Sequence, residues 1–185
     1  MKADEKFSIQ KVYKHLKPVY SKVNWKDIGL HKKLHNSHRF ILWLALHKRL
    51  STVDRLLMFG IDIPVDCYFC GLEMETFQHL FFDCEHTRRL WTELLDWLNC
   101  SRPIQDWDHE VDWINKRARS KCARNEMICC TFALVVCQIW RDRNLTRFQQ
   151  KPFKVGKSLK DLKLFICLKS WKIMKWQVEV QKLKS

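Results

Sequence analysis

Four side chains between positions 67 and 84 have the types and spacing to hold a metal ion. They are Cys67, Cys70, His79 and Cys84, in the pattern C-x2-C-x8-H-x4-C. Two cysteines separated by two residues across a turn bring both sulfurs to one ion, as in structural zinc sites. Thiolate and imidazole donors without a carboxylate favour Zn2+ over harder cations. Four protein ligands complete a tetrahedron and leave no open position, so the chemistry read here is structural, not hydrolytic. His79 falls in Thr76 to Phe82, which reads as one or two helical turns. Cys84 comes five residues later, so the helix must end between them for both to reach one ion. His86 is the substitute ligand if His79 faces elsewhere. Nine cysteines in 185 residues make a single C-x2-C commonplace. The added His and Cys, in the one stretch without clean helical periodicity, carry the reading of one structural zinc.

Other reactive residue types lack such a pattern. His31 and His35 are spaced i, i+4, but Lys32 and Lys33 beside them repel a cation, and no Cys or carboxylate completes a set. They read as a solvated polar face. Cys129, Cys130 and Cys137 lie in an apolar helix and read as packed thiols. Cys100, Cys122 and Cys167 have no partner at ligand spacing. The carboxylates of 106–112 alternate with Trp107 and Trp113 and fit the acidic start of a capped helix. No G-x-S-x-G, phosphate-binding loop, dinucleotide fingerprint or HExxH occurs, so no enzymatic constellation is read.

The elements that must position the cluster are helical. Hydrophobic residues make up 46% of the chain and charged ones 29%, which suits a folded protein and is too apolar for a disordered one. Only four Gly and four Pro weigh against turn-dense and all-β architectures. Periodicity predicts helices over Phe7 to Lys17, over a short turn at Trp25 to Leu30, and from Asn36 or Ser37 to about His47. A short helix starts at Ser51 or Thr52 and ends before Gly60, where a left-handed residue is wanted. Helical pattern resumes at Glu85 to Leu98, then from an Asp106 cap to about Arg119, then from about Arg124 to Gln149. Pro152 and Gly156 mark a joint, and Ser158 opens one last helix to about Lys182. The expected fold is all-α: a compact multi-helix domain over 1–150 with one zinc knuckle, and a basic amphipathic C-terminal helix over 151–185.

The charge is uneven. The net is +14, divided as +7 over residues 1–66, −5 over 67–118 and +12 over 119–185. A basic excess of this size favours polyanions. The last helix interleaves Lys160, Lys163, Lys169, Lys172 and Lys175 with apolar residues including Trp171 and Trp176. It reads either as a helix packing its apolar stripe on the core or as a docking helix. No secretory leader or membrane-length apolar run is visible, so the expectation is an intracellular protein with reduced cysteines and no membrane.

Further residues fall into a recognisable order. Phe7-Ser-Ile-Gln-Lys-Val-Tyr13, Trp25, Phe40-Ile-Leu-Trp-Leu-Ala-Leu-His47, Arg49-Leu-Ser-Thr52 and Asp54-Arg-Leu56 come first. Cys67, Cys70, Glu75-Thr76, His79-Leu-Phe-Phe82, Cys84 and Trp91 follow. This run resembles the zinc-binding reverse-transcriptase domain (zf-RVT) that follows the polymerase region in plant LINE-type, non-LTR retrotransposon proteins. The likeness is strong over residues 7–91. It continues loosely to Ile139-Trp-Arg-Asp-Arg-Asn144 and Phe148, which resembles the family's downstream tryptophan–arginine–asparagine segment. The resemblance assigns Cys67, Cys70, His79 and Cys84 as the zinc ligands. Gly29 stands where the family often has a second Trp, and Asn36-Ser37-His38 replaces a usual Pro-Lys pair. The polymerase's paired-aspartate motif and the spaced acids of a ribonuclease H fold are absent from these residues. The expectation is a free-standing, non-enzymatic zinc module, a domesticated fragment or a truncated element, with the nucleus the favoured compartment.

Two functional expectations follow. One is nucleic-acid binding through Arg141, Arg143, Arg147 and the lysine-rich helix, with Trp171 and Trp176 available for stacking. The other is a protein-interaction or scaffold module in which the zinc site only fixes helices. The oligomeric state, and the identity of any nucleic acid or partner, are left open.

Overall fold

The computed structural model describes residues 23, 25–29 and 33–183. The helix read over Phe7 to Lys17, together with His31, lies outside the described residues. Within them the elements are α1 (Lys26–Gly29), α2 (Asn36–Leu46), α3 (Val53–Met58), a π-helical turn (His79–Asp83), α4 (Glu85–Trp97), α5 (Trp107–Ala118), α6 (Ala123–Gln149), α7 (Val155–Ser170) and α8 (Met174–Leu183). No strand occurs among the described residues; a single antiparallel bridge joins Asp66 and Met74. The all-α expectation holds. No helix of the described residues is long and apolar enough to cross a membrane.

α6 is the axis of the fold. Its residues from Met127 to Val136 are all buried, so the helix is apolar around its circumference and must be covered on every side. It is covered by α2, α4, α5, α7, α8 and the π-turn. Its end is fixed by Gln150 in the left-handed conformation, with the Lys151 amide donating to the Leu145 carbonyl. Pro152 follows, where a helix cannot continue.

The flanking helices begin and end for local reasons. Asp106 caps α5 by accepting the His109 amide at 3.0 Å. The cap of α2 is His35, one residue before the expected Asn36 or Ser37. Gly60 takes φ +73 just after α3, the conformation expected of it. At the centre, Trp107 of α5 meets Phe77, Phe81, Phe82 and Phe132 at ring-centroid distances of 4.9–5.9 Å. Phe132 also meets Trp91 of α4 edge-on at 5.8 Å.

The C-terminal segment departs from the expected single helix. It folds as two, α7 and α8, separated at 171–173. Ser170 is buried and donates its hydroxyl to the Cys167 carbonyl at 2.6 Å, which competes with helix continuation. The chain then turns, so that both helices lie on α6 and on each other. Leu162 and Ile166 from α7, and Trp176 and Val180 from α8, join the same core cluster as the rest.

Truncating Phe132 to Ala removes the ring shared by α4, α5 and the π-turn. A loss of about 3–5 kcal/mol is expected, read as a lowered midpoint in urea unfolding.

Candidate metal centre

The metal cluster is assembled from a knuckle, a turn and a helix start. The knuckle is closed by the Cys67 amide donating to the Glu73 carbonyl at 2.7 Å and the Gly71 amide donating to the Cys67 carbonyl at 2.8 Å. Gly71 has φ +64, a conformation that a side chain would strain. His79 is placed by Thr76, whose hydroxyl accepts the His79 amide at 3.0 Å. Cys84 is extended (φ −61, ψ 128) and stands immediately before α4.

Cys84 reaches the cluster by a device the sequence pattern did not show. In an α-helix five residues advance about 500°, which puts Cys84 some 140° from the face of His79. The structure widens that turn instead. The Cys84 amide donates to the His79 carbonyl at 2.7 Å, five residues back, making one π-helical turn. The wider turn returns Cys84 toward His79 while sending Leu80, Phe81 and Phe82 into the core.

The result is convergence. The ligand atoms of Cys67, Cys70, His79 and Cys84 all lie within 4.8 Å of one another. The Cys67 and Cys84 sulfurs are 4.0 Å apart, and the Cys70 sulfur is 3.3 Å from His79 Nε2. A tetrahedron of 2.3 Å zinc–sulfur bonds has edges of about 3.8 Å, so the donor set fits Zn2+. The other imidazole nitrogen, Nδ1, is buried and has no aligned hydrogen-bond acceptor, but Glu73 Oε2 stands 3.2 Å away. A carboxylate behind a ligating imidazole favours presentation of Nε2 to a metal. His86 is outside the cluster and turns toward Phe153.

Electrostatics within the set is asymmetric. The hydrogen bond from Cys67 to Cys84 and burial push the Cys67 thiol well up, and the same bond lowers Cys84. A metal takes thiolates, so its binding must displace the thiol protons of the cluster. When bound, zinc would supply a cross-link between knuckle and turn. The packed thiols behave otherwise: burial pushes Cys129, Cys130 and Cys137 each up to about 12.

The knuckle is docked through residues that sequence reasoning did not single out for this. Glu75 is fully buried and accepts from Arg143 at 2.6, 3.0 and 3.1 Å, and from the Val53 amide at 3.2 Å. Tyr68, inside the C-x2-C, faces the guanidinium groups of Arg143 and Arg147 at 5.2 and 5.7 Å. Phe69 stacks on Phe153 at 4.0 Å. No signal in the sequence marked the pair, since Glu75 has Glu73 nearby and Arg143 lies in a polar run with Arg141 and Asp142. Glu110, read with its neighbours as part of an acidic helix start, is also buried; it accepts from Trp91 at 2.9 Å and from Arg102 at 2.6 and 2.7 Å.

The residues expected to touch nucleic acid divide. Arg141, Lys160, Lys172, Lys175 and Trp171 are exposed, Trp171 by 78%. Lys163 and Arg147 are half-buried, over Trp97 and Phe148 respectively. Lys169 is half-buried and donates to the Lys33 carbonyl. Lys175 pairs with Glu126 at 2.5 Å. Two are corrected. Arg143 is 1% exposed because Glu75 neutralises it in the core, and Trp176 is fully buried with its indole nitrogen 3.4 Å from Glu126. Neither is placed to meet a ligand from solvent.

A closed Cys3His set on a helical scaffold defines a zinc-binding module. Residues 7–91 match the family model for zinc-binding in reverse transcriptase, so this part of the chain is a reverse-transcriptase zinc-binding domain. No curated protein and no solved structure matches the chain.

Elemental analysis of the purified protein should find one zinc per chain, and Cys67→Ser with Cys70→Ser should abolish it and reduce helicity by circular dichroism. A metal-free chain that keeps its full helicity and melting temperature would refute the site. Separately, Glu75→Ala should cost about 3–5 kcal/mol by leaving Arg143 buried without its counter-charge. The double change Glu75→Leu with Arg143→Met should cost much less, which chemical denaturation of the three variants would read.

Proposed function

We propose that the protein is a non-enzymatic, zinc-stabilised helical module that binds nucleic acid, derived from the reverse transcriptase of a plant LINE-type retrotransposon and resident in the nucleus. The observation that carries this reading is the pairing of a reverse-transcriptase zinc-binding domain with a strongly basic remainder. Residues 119–185 carry +12, and Arg141, Lys157, Lys160 and Lys172 of that stretch are exposed. Exposed cations on a folded scaffold attract phosphates without regard to sequence. The full set of four protein ligands makes the metal a staple, so catalysis is assigned to no residue here. The acidic stretch 67–118 contains the zinc cluster, so phosphate contact is assigned to the helices outside it.

A second reading, a protein-interaction or scaffold module, has its own support. Leu164, Leu168, Trp171 and Met174 run along the exposed side of α7 and into α8, between 53% and 83% exposed. An apolar row of that kind is a feature of partner surfaces.

A salt titration separates the two. Zinc-loaded protein should bind a fluorescent RNA or DNA oligonucleotide with an affinity that falls steeply between about 50 and 200 mM salt. No detectable binding at low salt would sink the nucleic-acid reading and leave the partner surface as the better account.

A further inference from the structure

A groove of about 420 Å³ lies between α2, α6 and α7, away from the metal cluster. Its lining includes Ile41, Leu134, Leu162 and Phe165 on the apolar side, and Ser37, His38, Gln138, Arg141 and Asp161 on the polar side. That volume falls in the range of roughly 300–1,000 Å³ that holds compact organic ligands, with apolar walls and a few polar groups. The question is which ligand these groups fit.

Three features point the same way. First, the rings are arranged in a row: His35 meets His38 at 6.1 Å, and His38 meets Phe165 edge-on at 5.7 Å. Phe165 is 40% exposed at the open side of that row. Second, His38 Nδ1 is buried with no hydrogen-bond partner among the described residues. Burial, His35 and Lys169 all lower the His38 pKa, which favours a neutral ring able to accept as well as donate. Third, a cation stands at the rim, and another lies near the ring of Phe165. Arg141 is exposed and lines the groove, and Lys169 Nζ is 5.8 Å from the Phe165 ring centroid. Aromatic rings beside phosphate-binding cations are how proteins hold unpaired nucleotides, since every base has a face to stack and every link carries a charge. Asp161, the acid on this rim, is suited to accept from a sugar hydroxyl or an exocyclic amine.

We propose that this groove seats one unpaired nucleotide of a single-stranded nucleic acid. The base lies against Phe165 and His38, and an adjoining phosphate lies on Arg141. The inference rests on the nucleic-acid reading above and adds a place and a strand preference to it. It also separates the stacking residue from those that the sequence suggested: Trp176 is inside the core, whereas Phe165 stands at a groove.

The test uses the full chain loaded with zinc, with binding read by fluorescence anisotropy. The probes are a labelled single-stranded oligonucleotide and the blunt duplex of the same sequence, at one fixed salt concentration. Phe165→Ala should weaken single-strand binding roughly 5- to 100-fold, the range for loss of one stacked base. Phe165→Trp should restore it. Arg141→Ala should weaken it as well, while Lys116→Ala, an exposed charge on α5 outside the groove, should change it less than about two-fold. Circular dichroism melts confirm that each variant is folded, and the Phe165→Trp rescue guards against a packing artefact. If the wild type binds single strands but Phe165→Ala and Arg141→Ala bind like Lys116→Ala, the groove is overturned and the nucleic-acid reading stands. If the groove variants lose single strand and duplex equally, the strand preference and the seated base are overturned. If the wild type binds neither probe, both readings fall together.

Discussion

Arg143 is a permanent cation buried toward the C-terminal end of the central helix, and the structure supplies a buried counter-charge for it. The carboxylate that does so, Glu75, belongs to the loop that carries the metal ligands. Three hydrogen bonds from one guanidinium to one carboxylate fix both distance and orientation. Glu75 also accepts the Val53 amide, and its backbone carbonyl accepts the Asp54 amide at 3.2 Å. One buried acid therefore joins the knuckle loop, the start of α3 and the C-terminal part of α6. A buried pair of this kind is not a large net source of stability, because desolvation offsets much of the attraction. What it does is select an arrangement. Any packing of the knuckle that separates Glu75 from Arg143 leaves an uncompensated charge in the core.

The π-turn solves a related problem of two faces. Residues 77–84 must offer His79 and Cys84 to a metal while burying Phe77, Leu80, Phe81 and Phe82. A regular α-helix cannot sort ligands five apart onto one side and keep three consecutive residues between them in the core. One widened turn does both. The metal cluster and the aromatic cluster around Trp107 are thus two sides of a single segment. Loss of metal at one side should be felt in packing at the other.

Much of this was legible in the sequence. The ligand set could be read because thiol and imidazole spacing is a local signal, and α4, α5 and α6 because their apolar periodicity and caps are local too. The zinc-binding domain was legible because its motifs occur in a fixed order. What was not legible depends on the tertiary partner. Arg143 and Trp176 read as exposed recognition residues because a charge or an indole looks the same in sequence whether it meets solvent or a buried carboxylate. The break at 171–173 is invisible to periodicity because its cause is docking of two helices on α6 and a serine hydroxyl turned onto its own backbone. The π-turn left no compositional trace.

The same reasoning explains where the charge ends up. Of the four acids in residues 119–185, Glu126 meets Lys175 and Trp176, and Asp142 receives the Ser158 hydroxyl at 2.6 Å and the Gln138 amide. Glu179 pairs with Lys182, and Asp161 lines the groove. Farther up the chain, Glu75 and Glu110 are drawn inside to meet Arg143 and Arg102. Folding draws several acids into internal contacts, whereas many lysines, with long stems and strongly hydrated heads, stay at the surface. The +14 of the chain is therefore not averaged away by packing. With the acid-rich segment carrying the metal-ligand cluster, the basic excess of residues 119–185 is divided between α6, α7 and α8 and the segments that flank them, and the groove lined by Arg141 and Phe165 opens between two of these helices and α2.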